Sequence, residues 1–442
     1  MQIGSSNFET TSLSNYVHFK NEGFLRHCKV VLFRCKEWIF GCGVWIDTPK
    51  IIEILEKTFG SLSQKDVGPA LRLFNNVDLT QPLQEKIQSI SQCVFLPQFD
   101  KSKKTTNNYL QVDPEWEIHY EESGNPNGIP VVFVHGGPGW QSADTDHCWF
   151  DPQKYRIITF DQRGSGKSRP TAWDRNIHAS TFSSLTTTQL AEDMEKLRKH
   201  LKIEDKWLVF GGSWGSTLSL FYGQKYPEHT AGLIVRGIFL GTPDEFLNFY
   251  TPQFLSNMLG DKWDPTSLKI LCDYAKVDYD PKKFYGGAYY DPRRLIDALY
   301  TLIIKENDFR AMYLVATYED YIDSPSPEML EKLKNIPSKE EEVEPGARSL
   351  GILETHFFTT MYKDVNLMNP AGIKALQNIP TVIVQGENDT VCPKENAQTL
   401  AKILPQAEFQ LIKNGKHSSY GKEMTDALVR ATDKWADKQG KF

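Results

Sequence analysis

Five short stretches constrain the fold of this chain more than any other feature: Val131–Val134, Ile157–Phe160, Leu208–Phe210, Leu233–Val235 and Val382–Val384. Each is an apolar run with no polar alternation. A strand with one wet face alternates; a strand covered on both faces does not, and such runs are the mark of a parallel sheet between two helical layers. Helical patterns lie between them. The clearest is Leu190–Leu201, with Leu190, Met194, Leu197 and Leu201 on one stripe, a Thr186-x-x-Gln189 start and Glu195 four residues before Lys199. Strands alternating with helices predict a mostly parallel, doubly wound α/β sheet. Trp116, Ile118 and Tyr120 alternate with charged neighbours as an exposed-edge strand would, followed by a turn at Gly124–Gly128.

The alternation stops after Gly241 and resumes at Thr381. Residues 242–372 are aromatic-rich and helical, with Tyr289, Tyr290, Tyr300, Tyr313, Tyr318 and Tyr321 among them. The core is therefore expected in two pieces, 100–241 and 373–442, around a helical insertion at 242–372. Residues 1–99 form an N-terminal extension with an amphipathic helix at Lys50–Phe59, a weaker one at Leu83–Ile90 and no chemical motif. The polar run Asp100–Asn108 reads as a linker.

Composition narrows the function classes. With 50 Lys and Arg against 56 Asp and Glu, the net charge of −6 offers no surface for nucleic acid. The most apolar stretch, Val30–Ile46, is broken by Arg34, Lys36 and Glu37 and falls short of the roughly 20 clean residues a membrane span needs. No secretory signal pattern opens the chain. Seven scattered cysteines fit free thiols in a reducing compartment, and the spacing of seven between Cys28, Cys35 and Cys42 is not that of a zinc site. A cytoplasmic protein without metal is expected.

The chemistry is concentrated at strand ends. Leu208–Phe210 runs directly into Gly211-Gly212-Ser213-Trp214-Gly215 and then into a helical segment. This is G-x-S-x-G in the strand-turn-helix setting of a nucleophile elbow, where glycines flank the serine because side chains there would clash. Upstream, Val131–Val134 ends in His135-Gly136-Gly137-Pro138-Gly139. A Gly-rich loop at that place supplies one backbone N–H of an oxyanion hole and the residue after the serine supplies the other, which makes Gly137, with Gly136 as the near alternative, and Trp214 the donors. An acid and then a histidine should follow in chain order. Gly386-Glu387-Asn388-Asp389 and Asn414-Gly415-Lys416-His417 each follow a strand, so Asp389 and His417 complete a triad with Ser213, and Glu387 is the competing acid. Asp161 and Arg163 order the neighbouring loop.

His135-Gly-Gly-Pro-Gly139, Asp161-Gln-Arg-Gly-Ser-Gly166, Gly211-Gly-Ser-Trp-Gly-Ser216, Arg236-Gly-Ile-Phe239, Gln385-Gly-x-x-Asp389-x-Val-Cys-Pro393 and Gly415-x-His417 together resemble the prolyl aminopeptidase (proline iminopeptidase) family of the α/β-hydrolase superfamily. The resemblance runs from about Leu96 to Lys438. It implies the α/β-hydrolase fold with the insertion as a helical cap, and a metal-free, cofactor-free serine exopeptidase that releases N-terminal proline from peptides. It also implies two cap glutamates for the substrate's free amino group, at positions matching Glu319, in Thr317-Tyr318-Glu319, and Glu354, in Leu353-Glu354-Thr355-His356. Tyr318 stands where the family usually has Trp. An esterase or a broader aminopeptidase with the same triad, and a non-catalytic ligand-binding protein on this fold, are the alternatives.

Overall fold

The computed structural model describes residues 108–143, 145–174, 179–280, 290–360 and 364–439, together with two short strands further upstream. By its contacts the chain divides into two units, Met1–Gln98 and Phe99–Phe442. In the first, β1 (Ala70–Leu71) pairs antiparallel with β2 (Phe95–Leu96). The expected helices at Lys50–Phe59 and Leu83–Ile90, most of the linker, Tyr289 and Cys28, Cys35, Cys42 and Cys93 lie outside the described residues.

The second unit is built on an eight-stranded sheet in the order β10-β9-β8-β7-β5-β6-β4-β3. Its strands are β3 (Asn108–Gln111), β4 (Glu117–Gly124), β5 (Ile129–Val134), β6 (Tyr155–Phe160), β7 (Trp207–Ser213), β8 (Thr230–Ile238), β9 (Thr381–Gly386) and β10 (Glu408–Ile412). From β6 to β10 every neighbouring pair is parallel, while β4 runs antiparallel to both β6 and β3. All six residues of β9 are buried, as are the first six of β7, so the unbroken apolar runs are the sheet centre. Helix α1 (Thr187–His200) starts where the sequence placed it, with Thr186 Oγ1 accepting from Gln189 N.

Two expectations change. Strand β4 is not at an edge: β3 covers it on one side and β6 on the other. Polar residues in its middle are buried along with the apolar ones, His119 being 4% and Glu121 5% exposed. His119 lies against Asp161 at 3.2 Å and Lys167 reaches Glu121 at 3.2 Å, so a row that reads as solvent-facing is a buried polar network with partners of its own. Likewise the boundary at 372 cuts helix α5 (Pro370–Leu376), which belongs with the sheet. A Cβ on Gly372 would lie 2.5 Å from the Gln224 side chain on helix α2 (Trp214–Lys225), and Gln224 Nε2 donates to Leu367 O.

Between β8 and α5 the described residues hold helices and no strand. Two matter most here: α3 (Phe309–Asp323) and α4 (Pro345–Thr360). They cross closely at Gly351, where a Cβ would stand 2.5 Å from Met312 O. Helix α4 is also tied to the rest of the unit. His356 Nε2 lies 2.8 Å from Leu185 O, and the Phe357 ring packs 4.8 Å from that of Trp214, next to the elbow serine. Helix α6 (Lys422–Gln439) closes the chain against β9 and β10.

Candidate active site

Ser213 ends β7 and begins α2 with φ +58° and ψ −129°, a backbone conformation that a non-glycine residue holds only when its surroundings enforce it. The neighbouring glycines supply the enforcement. A Cβ on Gly211 would meet Gly215 O at 2.3 Å and Ser219 Oγ at 2.4 Å; one on Gly215 would meet Val134 O at 2.2 Å. Gly212 is just as constrained, by Arg236 Nε at 2.2 Å. The serine is thus pushed out at the sheet's C-terminal edge with the first turn of α2 behind it.

His417 and Asp389 are brought together by the loops after β10 and β9. His417 Nδ1 is 3.0 Å from both Asp389 oxygens, while Glu387 instead accepts from Asn414 N at 3.4 Å. Asp389 is buried yet fully served: Oδ1 accepts from Val391 N (3.0 Å) and Cys392 N (2.7 Å), and Oδ2 from Gln385 Nε2 (3.2 Å). Three donors besides the histidine hold the carboxylate in place. Gly237, at φ +53°, lets the pair in, since a Cβ there would already lie 3.2 Å from the imidazole. Cys392 sits nearby, but burial pushes its thiol well above the usual range and keeps it protonated.

The Gly-rich loop lies directly over the serine: a Cβ on Gly136 would be 3.4 Å from Ser213 Cβ. Gly137 follows at φ +111°. Two buried side chains set this loop. His135 donates from Nδ1 to Gly136 O (2.8 Å) and accepts at Nε2 from Gln162 N (3.0 Å), and burial lowers its pKa, so it is neutral and fully engaged. Gln162 donates to His135 O (2.9 Å) and accepts from Trp214 Nε1 (2.9 Å). Gln162 thereby couples the Gly-rich loop to the residue after the serine. Asp161 holds the same loop further on, accepting from Ser142 N (2.8 Å) and Lys167 N (2.9 Å), while Arg163 is buried against Asp193 and Asp113.

Glu319 projects from α3 into a cavity of about 260 Å³ that is also lined by Gly136, Gly137, Ser213, Arg236 and His417. Glu354, on α4, is buried and hydrogen-bonds Glu319. Burial raises the pKa of both, Glu319 to about 7, and the neighbouring Glu319 charge raises Glu354 further. Glu354 is therefore the more firmly protonated of the two and donates to Glu319. One oxygen of each, Oε2, is buried with no hydrogen-bond partner. Tyr318, beside Glu319, turns away: its hydroxyl donates to Phe249 O at 3.0 Å and its ring stacks on Tyr250.

Gln385, Gln162, Gly237 and Gly351 hold the geometry of this cavity and were not singled out residue by residue. The first three stand inside quoted motifs, so a signal for them was present; Gly351 carried none.

Fold and geometry define an α/β-hydrolase. A family model described as alpha/beta hydrolase fold matches residues 129–423, and the chain belongs to that family. Among similar proteins, "Proline iminopeptidase" of Neisseria meningitidis is 35% identical over 331 residues, covering 74% of this chain and 94% of that protein. "Probable proline iminopeptidase" of Leptolyngbya boryana is 39% identical over 74% of this chain and 92% of its own length, and "Proline iminopeptidase" of Arabidopsis thaliana is 34% identical over 74% and 78%. The chain belongs to the proline iminopeptidase family.

Proposed function

We propose that this chain is a prolyl aminopeptidase that works through a prolyl ester on Ser213. The observation that carries the reading is the Glu319–Glu354 pair: two buried carboxyl groups set against each other, with no ion pair to a basic side chain among the described residues, one of them in the cavity that holds the serine and histidine. A substrate ammonium or iminium is the group that completes them. Desolvated cations demand carboxylate partners, and a blocked or internal peptide bond has no cation to offer. Peptide substrates with a free N-terminal proline are therefore selected by the helices between β8 and α5, acting as a cap.

With the imino group at Glu319 and Glu354, the first carbonyl lies beside Ser213. Oγ attacks the carbonyl carbon as His417 takes its proton, and the oxyanion is held by the N–H groups of Trp214 and Gly137, with Gly136 alongside. Collapse breaks the C–N bond, and His417 returns the proton to the leaving amine. Water, activated by His417, then hydrolyses the ester and frees proline. Asp389 stays ionised and orients the imidazole throughout.

The test compares prolyl, alanyl and N-blocked prolyl arylamides with a simple aryl ester, on wild type and Ser213→Ala. Rapid cleavage of the free prolyl substrate alone is expected. Equal rates on blocked and free prolyl arylamides would remove the glutamate assignment, and wild-type activity in the serine variant would remove the mechanism. Hydrolysis of the ester alone would make the protein an esterase.

A further inference from the structure

Trp140 is unusual in being both large and open: it is 51% exposed, and Leu411 is the one other large hydrophobic side chain exposed among the described residues. A single exposed apolar side chain is ordinary by itself; what distinguishes this one is where it stands. It lines the same cavity as Ser213, His417 and Glu319. Its backbone is fixed from both sides. A Cβ on Gly139 would stand 2.6 Å from Ser349 O on α4, and Ser142 donates from N to Asp161 and from Oγ to Phe160 O, both at 2.8 Å. A side chain carried on a well-held backbone segment, with only two χ angles to fix, costs little ordering when a ligand settles on it.

The direction of the substrate decides what that ligand is. If the amino group lies at Glu319 and the first carbonyl at Ser213, the scissile nitrogen points at His417, which must protonate it. The chain then continues past His417 towards Tyr420, which lines the cavity with Trp140 and is held by Asp146 (3.3 Å) and a 5.9 Å stack on Trp149. At about 260 Å³ the cavity is just below the roughly 300–1,000 Å³ of drug-sized sites, enough for a proline and little more. The second residue therefore rests at the mouth, where Trp140 stands. With Glu319 taken by the substrate's imino group, the cavity lining still carries Asp146, Asp320 and Asp323 against Arg236, a balance that disfavours an acidic side chain.

We propose that Trp140 is a specificity-determining residue that stacks with the side chain of the substrate's second residue, so that the enzyme prefers prolyl peptides whose second residue is large and planar, aromatic or arginine. This rests on the aminopeptidase reading above. The experiment measures kcat/KM, by proline release, for Pro-Phe-amide, Pro-Arg-amide, Pro-Gly-amide and Pro-Glu-amide with wild type, Trp140→Ala and Trp140→Phe. Wild type should favour Phe and Arg over Gly by about five- to tenfold, with Glu slowest. Trp140→Ala should bring the Phe-to-Gly ratio close to one, mainly through KM, and Trp140→Phe should restore most of it. A flat wild-type ratio, a ratio unchanged in Trp140→Ala, or an equal loss on all four amides would overturn the proposal. If wild type cleaves none of the four, the aminopeptidase reading itself fails; if it cleaves all four with flat ratios, only the role of Trp140 does.

Discussion

Asp389 and Glu354 are both buried carboxyl groups around one cavity, and the protein treats them in opposite ways. Asp389, in a loop at the end of a strand, receives two backbone N–H groups, the Gln385 amide and the His417 imidazole. Glu354, on a helix, meets Glu319, and each leaves one oxygen unpaired. In the proposed mechanism the strand-end loops are thus preorganised for charge that appears during reaction, their carboxylate already satisfied within the fold. On the proposed reading the helical region is left short of a cation and that deficit serves recognition: an unsatisfied buried polar group is costly, and a ligand that satisfies it recovers the cost on binding.

The largest effect should come from the satisfied side. Ser213→Ala should lower kcat on prolyl arylamides by about 10⁴-fold or more while the protein still binds proline amide by calorimetry. On the unsatisfied side, Glu319→Gln and Glu354→Gln should each reduce kcat/KM about 10- to 100-fold, the range for one charged hydrogen bond, without improving blocked substrates.

The pH dependence sharpens the contrast. The folded pKa of Glu319, about 7 against 4.5 ordinarily, means the free protein keeps a proton that the unfolded chain has lost. Its stabilising contribution is complete below about pH 4.5 and is lost as pH rises through 7. Either glutamine variant should accordingly melt a few degrees higher than wild type at pH 8, with the gap narrowing towards pH 5. In Ser213→Ala, proline amide should bind more tightly as pH rises from 5.5 to 8, and Glu319→Gln should flatten that slope. A Tm gap that widens towards pH 5 would contradict the raised pKa of Glu319.

Smaller still, Gln385→Ala should lower kcat about tenfold with KM unchanged, because the Asp389 carboxylate loses one donor and its fixed orientation. Gly351→Ala should cost about 1–3 kcal/mol in denaturant unfolding by forcing α3 and α4 apart. If it leaves KM for prolyl substrates untouched, the glutamate pair does not depend on that crossing.

Some of this was legible because its causes are local. Gly211 is required by Gly215 and Ser219, all within nine residues, so that part of the elbow is written in one short stretch. Apolar runs announced the central strands for an equally simple reason, burial on both faces. Strand β4 misled, since alternation shows that two faces differ and not that the polar one reaches water: His119 and Glu121 find buried partners from distant segments. The boundary at 372 fell inside α5 because a packed helix of the sheet layer looks, residue by residue, like a helix of the insertion.

What the sequence determined by itself was the sheet, the order of serine, acid and histidine along it, and the family to which the chain belongs, all carried by short-range pattern and motif. Only the tertiary structure decided that Glu319 and Glu354 meet. They lie on two helices 35 positions apart, and their contact depends on a crossing at Gly351 against Met312. It also decided that Trp140 stands open at the cavity mouth. A side chain's neighbours across the fold set its charge and its exposure, and no periodicity in the chain records them.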